Sequence, residues 1–125
     1  MLDTHILLWA LKDDARLSRR TRTLLRGETH TLLWSAASTW ELAIKASLRR
    51  IQFVAPLSTY LPDKLASEGV ETLPVTSQHA AATESLPLHH RDPFDRLLIA
   101  QAQIEDVPIV TADKAFRRYD VEIVF

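Results

Sequence analysis

The chain has 125 residues, 46% hydrophobic and 25% charged, a balance that fits a single globular domain spanning 1–125 and not a disordered segment. Its 15 basic and 16 acidic side chains leave a formal charge of −1, so no overall field draws it to nucleic acid, and any phosphate recognition must come from local basic patches. It has no cysteine, which excludes disulfides, zinc–thiolate sites and thiol nucleophiles and leaves oxygen or imidazole to hold any metal. The longest apolar runs, such as Ile6 to Leu11, are too short to span a bilayer, and the first residues lack the pattern of a signal peptide, so a cytoplasmic protein without a membrane partner is expected.

Met1 to Asp3 reads as the end of a clipped strand. Thr4 to Leu11 then reads as a helix burying Ile6, Leu7, Trp9, Ala10 and Leu11. Arg16 to Arg26 predicts a second helix capped by Gly27, and Thr29 to Trp34 a buried strand. Ser38 is expected to open a third helix, running to about Arg49, with Ala37, Trp40, Ile44 and Leu48 on its apolar stripe and Glu41 at capping-box spacing. Core packing is the expected fate of Trp9, Trp34 and Trp40. Pro56 to Ser67 predicts a helix ended by Gly69, Val70 to Val75 a short strand, and Thr76 to Ser85 an Ala-rich helix.

The stretch His89 to Gln103 follows. Pro93 suits the first helical position, which makes Asp92 the N-cap and Asp95 the N3 residue, with Phe94, Leu97, Leu98, Ala102 and Ile104 burying one flank. Pro108 to Thr111 reads as a strand, Asp113 opens a helical turn, and Val121 to Phe125 is the last strand. Strands that alternate with helices, without hairpin signals, imply an α/β fold: a parallel sheet of about five strands covered on both faces.

In such a sheet the strand-to-helix turns share the carboxyl edge, where these folds place ligands. Asp3, Glu41, Asp95 and Asp113 all fall at that edge. Each has a modest explanation: capping, the helix dipole, an i,i+4 pair between Glu41 and Lys45, or a turn at Asp113. None of these requires four acids at separate positions of one edge, nor accounts for Asp95 once Asp92 has capped the helix. Carboxylates brought to roughly 5 Å spacing at an effective dielectric near 20 repel by about 3 kcal/mol per pair. A hard divalent cation, Mg²⁺ or Mn²⁺, answers that repulsion, and metal-dependent phosphodiester hydrolysis follows as the leading expectation. Arg19, Arg20 and Arg22 on the second helix, with Arg91 and Arg96 flanking the acidic mouth, are the candidate phosphate-binding residues.

The motifs LDTH at Leu2 to His5, STWELAIK at Ser38 to Lys45, RDPFDRLLIAQA at Arg91 to Ala102 and VTAD at Val110 to Asp113 together resemble those of PIN-domain ribonucleases, specifically the VapC-type toxins of toxin–antitoxin pairs. The resemblance covers nearly the whole chain, with the motifs in family order. It implies a three-layer α/β/α PIN-like domain that cleaves RNA, with Asp3, Glu41, Asp95 and Asp113 as its acidic residues and Asp3 and Asp95 as metal ligands. It further implies Thr4 and Thr111 as small polar groups orienting a carboxylate or a metal-bound water, with Asp92 in a supporting place. It also makes Arg19, Arg20, Arg22, Arg91 and Arg96 candidates for binding RNA. A homodimer and a cognate antitoxin are the implied partners. Family members carry a few more residues before their first Asp, and the pattern gives His89 and His90 no role. Two other readings share the architecture. A phospho-receiver module needs an acidic pair after the first strand and a Lys near the last, whereas Asp13 and Asp14 fall beyond a helix and no Lys follows Val121. A catalytically inactive PIN-fold binding module would not need the full set of four acids.

Overall fold

The computed structural model describes residues 1–125. Helices α1 (Thr4–Leu11), α2 (Arg19–Arg26), α3 (Ala36–Ser47), α4 (Leu57–Ser67), α5 (Ser77–Ala82) and α6 (Pro93–Glu105) alternate with strands β1 (Leu32–Ser35), β2 (Val70–Leu73), β3 (Ile109–Val110) and β4 (Ile123–Val124), with 3₁₀ turns at Thr83–Ser85 and Lys114–Arg118. The clipped first strand is reduced to Leu2, which bridges Trp34 on one side and Val110 on the other, both in parallel. Its backbone joins the two halves: Leu2 N–H donates to Leu33 O at 2.8 Å and Asp3 N–H to Val110 O at 3.0 Å. With β1 pairing β2 and β3 pairing β4, also in parallel, the sheet runs β2, β1, Leu2, β3, β4.

Period-2 alternation along these strands divides the core in two. Leu2, Leu32, Trp34, Val70, Val110 and Val124 point to the face covered by α1 and α4, where Ile6, Leu7, Leu61 and Leu65 meet them. Met1, Leu33, Leu73, Ile109 and Ile123 point to the other, against Leu98, Ile99 and Ala102 of α6 and Phe116 and Tyr119 beyond β3. The result is the three-layer α/β/α arrangement expected of alternating elements. No helix is long and apolar enough to cross a membrane.

Several local expectations need correction. Helix α2 starts at Arg19 and not Arg16, because Ser18 accepts the Thr21 N–H and sets its first turn. Gly27 ends that helix in extended backbone (φ −73°), so it provides no left-handed cap; Gly69, at φ +64°, is the glycine that α4 needs. Strand β1 runs Leu32–Ser35, later than Thr29 to Trp34.

Helix α3 opens one turn early. The chain passes from β1 straight into the helix, so Ser35 is the N-cap, accepting Ala37 N–H at 3.0 Å, while Ser38 lies buried inside the first turn. Glu41 therefore belongs to the second turn and makes no capping box. Of the predicted stripe Ala37 is buried, but it is joined by Ser38 and Leu42, so the buried side of α3 is centred about 100° from that stripe at 3.6 residues per turn. Small residues on that side let the helix approach closely. Trp40, Ile44 and Leu48 are left exposed, Trp40 to 62%. Of the three tryptophans, Trp34 alone is fully buried; Trp9 is half-buried. Helix α6 is buried along Leu98 to Ala102 in an unbroken run because the sheet, α5 and α3 cover more than one of its flanks, whereas Ile104 near its end is exposed.

Candidate active site

The carboxyl edge collects its acids from four different places in the chain. Asp3 follows the Leu2 bridge at the N-cap of α1, yet its side chain caps nothing. Its Oδ2 instead accepts from Thr111 Oγ1 at 2.6 Å and lies 3.0 Å from His5 Nδ1. Glu41 reaches in from α3, accepting from Thr4 Oγ1 at 2.5 Å and from Lys45 Nζ at 2.7 Å. Asp113 lies two residues past the Thr111 that ends β3; its Oδ1 caps the following 3₁₀ turn through Ala115 N–H at 2.8 Å, and its own N–H donates to Thr111 Oγ1 at 3.0 Å. Asp95 rides on the first turn of α6, which Asp92 caps by accepting Phe94 N–H at 2.8 Å and Asp95 N–H at 3.3 Å.

These side chains line one pocket of ≈ 230 Å³, walled by Asp3, Thr4, His5, Leu8, Glu41, Lys45, Asp92, Asp95 and Asp113. Burial, and then the charges of Asp92, Asp3, Glu41 and Asp113, push the Asp95 carboxyl up to about 8. Neutrality at Asp95 is the protein's own answer to the repulsion, and a bound cation is the other. The donor set suits such an ion: carboxylate oxygens predominate and no thiol is present, which is the chemistry of hard divalent cations.

The structure thus brings all four acids expected from the sequence to one place, with Thr4 hydrogen-bonded to Glu41 and Thr111 to both Asp3 and the Asp113 backbone. The modest explanations hold beside this: Glu41 does pair with Lys45, and Asp113 does cap a turn. Neither Asp3 nor Asp95 caps a helix with its side chain; each instead stands 3.0 Å from a histidine, His5 and His90 respectively.

The candidate RNA-binding arginines do not act alike. Arg96 is half-buried and donates to the carbonyls of Thr83, Leu86 and Pro87, so its guanidinium ties down the loop ahead of α6. Arg22 is paired with Asp13 and with the Asp14 carbonyl. Arg19 and Arg20 stand exposed beside Thr23 and His30, and Arg91 is exposed as well.

Two histidines, His5 of LDTH and the His90 to which the motif pattern gives no role, also stand at the site. His5 lies with Nδ1 against Asp3 and Nε2 accepting Ala112 N–H at 3.4 Å, which assigns the proton to Nδ1. His90 is mostly buried, its Nε2 3.0 Å from Asp95 Oδ2 and 3.4 Å from Asp113 Oδ2. A lone histidine in a loop carries no periodic or capping signal, so only the fold could place it. Its neighbour His89 is exposed and stacks edge-on against Tyr119 instead.

A family model for the PIN domain matches residues 1–122. Among curated proteins the chain is similar to Ribonuclease VapC16 of Mycobacterium tuberculosis, 34% identical over 61 residues; the match covers 49% of this chain and 43% of that relative's length. Among solved structures it is similar to VapBC2 from Rickettsia felis bound to a DNA fragment from its promoter, with a TM-score of 0.73 and 16% identity over 99% of this chain and 96% of that one. It is also similar to FitAcB from Neisseria gonorrhoeae, with a TM-score of 0.65 and 17% identity over 99% and 95% of the two chains. A toxin–antitoxin complex from Klebsiella pneumoniae superimposes with a TM-score of 0.66 at 14% identity, over 99% and 94%.

Proposed function

This chain belongs to the PIN-domain family, and from that membership and its acid pocket we propose that it is a metal-dependent endoribonuclease, the toxin component of a toxin–antitoxin pair. The observation that carries the reading is the convergence of Asp3, Glu41, Asp95 and Asp113 on one pocket, where crowding and burial raise the Asp95 carboxyl to about 8. Similarity to a protein named as a ribonuclease supports the activity, and similarity of fold to toxin–antitoxin complexes supports the partner class.

In this reading Asp3 and Asp95 hold Mg²⁺ or Mn²⁺, with Asp113 and Glu41 completing the acidic wall. Bound there, a divalent ion supplies Lewis-acid polarisation of the phosphodiester and lowers the pKa of water. The chain's own contribution is order. Thr111 fixes one oxygen of Asp3, Thr4 and Lys45 fix the two oxygens of Glu41, and Asp92 holds the helix turn that presents Asp95. Lys45 also partly offsets the negative mouth that RNA must approach. Arg19, Arg20 and Arg91 supply backbone contacts to the RNA; Arg22 and Arg96, engaged within the protein, are set aside.

The exposed line of Trp40, Ile44 and Leu48, with Trp40 edge-on to Phe94 at a ring separation of 5.2 Å, is the apolar surface offered to a protein partner, whether antitoxin or a second copy in a homodimer. A phospho-receiver is set aside by the family match. The inactive binding module is the rival that activity must judge. Incubation with structured cellular RNA in Mg²⁺ or Mn²⁺ should give discrete cleavage products that chelator abolishes and that Asp95→Asn fails to produce. Intact RNA in both ions would favour the binding module.

A further inference from the structure

The loop ahead of α6 delivers His90 to the acid pocket in one defined orientation. Its Nδ1 accepts the backbone N–H of Asp92 at 3.3 Å, and its ring meets Phe116 edge-on at 5.9 Å. An imidazole nitrogen that accepts an N–H bears no hydrogen, so the hydrogen of the neutral ring lies on Nε2. That N–H donates to Asp113 Oδ2 at 3.4 Å, and Asp95 Oδ2 lies 3.0 Å from the same nitrogen, off the N–H direction. These three side chains have the mutual spacing of a metal-binding group. The tautomer argues otherwise: an ion needs a lone pair, and Nε2 presents a hydrogen. His5 across the pocket carries the opposite tautomer, with its proton toward Asp3.

We propose that His90 is a positioning residue, an Nε2–H donor to Asp113 whose ring edge also abuts the Asp95 carboxylate, holding both acids at the ion site without itself binding the ion. The inference rests on the ion-dependent reading of the acid pocket above. Its physical basis is that a carboxylate oxygen has two lone pairs, so Oδ2 can accept from His90 while remaining free to coordinate. Such outer donors remove rotational freedom from ligands that would otherwise have to be ordered when the ion arrives. A ring that donates to Asp113 and stands against Asp95 also sets the spacing of the two acids, which neither backbone anchor achieves: Asp92 caps the turn that carries Asp95, and Thr111 accepts the Asp113 N–H.

The test is Mn²⁺ affinity of the intact protein by calorimetry for wild type, His90→Phe and His90→Gln, with melting in chelator and pulsed electron paramagnetic resonance of bound Mn²⁺. Loss of the donor in His90→Phe should weaken Mn²⁺ binding by about tenfold, the lower end of what an outer-shell partner contributes. His90→Gln, whose amide N–H can reach the same acids, should restore most of it. The bound ion should show no directly bonded nitrogen from His90. If His90→Phe does not fold, His90→Ala removes the donor without adding bulk beside Phe116. Unchanged affinity in the donor-less variants, even with a lowered ion-free melting temperature, would reduce His90 to a packing residue and overturn the proposal. A directly bonded nitrogen signal that vanishes in His90→Gln would overturn it in favour of ligation. Failure of wild type to bind Mn²⁺ at all would instead defeat the ion-site reading, and the proposal with it.

Discussion

Asp92 Oδ1 accepts the backbone N–H of Asp95 at 3.3 Å, so one acid caps the helix turn that carries the other into the pocket. The two differ in work although both line the site. Asp92→Asn keeps a good cap and removes a charge that raises the Asp95 carboxyl, so it should fold and retain much of the cleavage activity. Asp92→Ala should cost about 1 kcal/mol of stability through the lost cap. Asp95→Asn should fold and lose most of the activity. Cleavage rates and melts of the three variants check this, and loss of activity in Asp92→Asn with sparing in Asp95→Asn would reverse the assignment.

The ion-free protein should lose stability as pH rises. Asp95 has its folded carboxyl raised to about 8 against an ordinary 3.8, so the folded state binds this proton more tightly than the unfolded chain. The stabilisation it contributes is complete below about pH 4 and declines as pH climbs toward 8. Mn²⁺ should reverse the trend, releasing a proton on binding at pH 7. At a hundred times its dissociation constant it adds about 2.7 kcal/mol, a melting shift on the order of 10 °C. Melts from pH 5 to 8 with Mn²⁺ and with chelator measure both effects; a melting temperature indifferent to saturating Mn²⁺ would count against a formed site.

Thr111 joins two acids through one hydroxyl, donating to Asp3 and accepting from the Asp113 backbone. Thr111→Val preserves the shape and strands both partners at a buried position, so it should cost about 1–3 kcal/mol and depress cleavage, while Thr111→Ser should recover both. Denaturant midpoints with parallel rates test it. A fully active, fully stable valine variant would show that the bridge does nothing.

Arg19 and Arg20 should separate from Arg96. In an Asp95→Asn background, replacing Arg19 and Arg20 by Gln should weaken RNA binding and flatten its salt dependence, each lost phosphate contact removing a little under one unit of log–log slope on a duplex and less on single strands. Arg96→Gln should instead lower the melting temperature, because it leaves the Thr83, Leu86 and Pro87 carbonyls without their donor. Identical salt slopes in the double variant would mean that the α2 face is merely solvated.

Elements whose ends carry their own chemistry were legible in the sequence: Asp92 with Pro93 marked α6, Thr76 marked α5, and Gly69 marked the end of α4. The acids at the carboxyl edge were legible because strand-to-helix order alone puts them there. What periodicity could not supply is which side of a helix meets the sheet. Trp40, Ile44 and Leu48 form a real apolar line on α3, but the sheet meets the smaller residues Ala37 and Ser38, with Leu42, because they allow close approach. Ser38, with Glu41 three residues on, carries a cap signature, but the chain passes from β1 straight into α3 without a loop, and that makes Ser35 the cap. His5 and His90 also meet residues 107 and 23 positions away, Ala112 and Asp113, contacts that no local pattern encodes.

The acid pocket as the ion site is tested most directly by anomalous diffraction from crystals grown in Mn²⁺. The expected result is a peak roughly 2.0–2.6 Å from carboxylate oxygens of Asp3 and Asp95, the range of hard divalent ions, absent from Asp95→Asn crystals. A peak confined to another acidic surface, such as that of Asp106, Asp120 and Glu122, or no peak at saturating Mn²⁺, would contradict it.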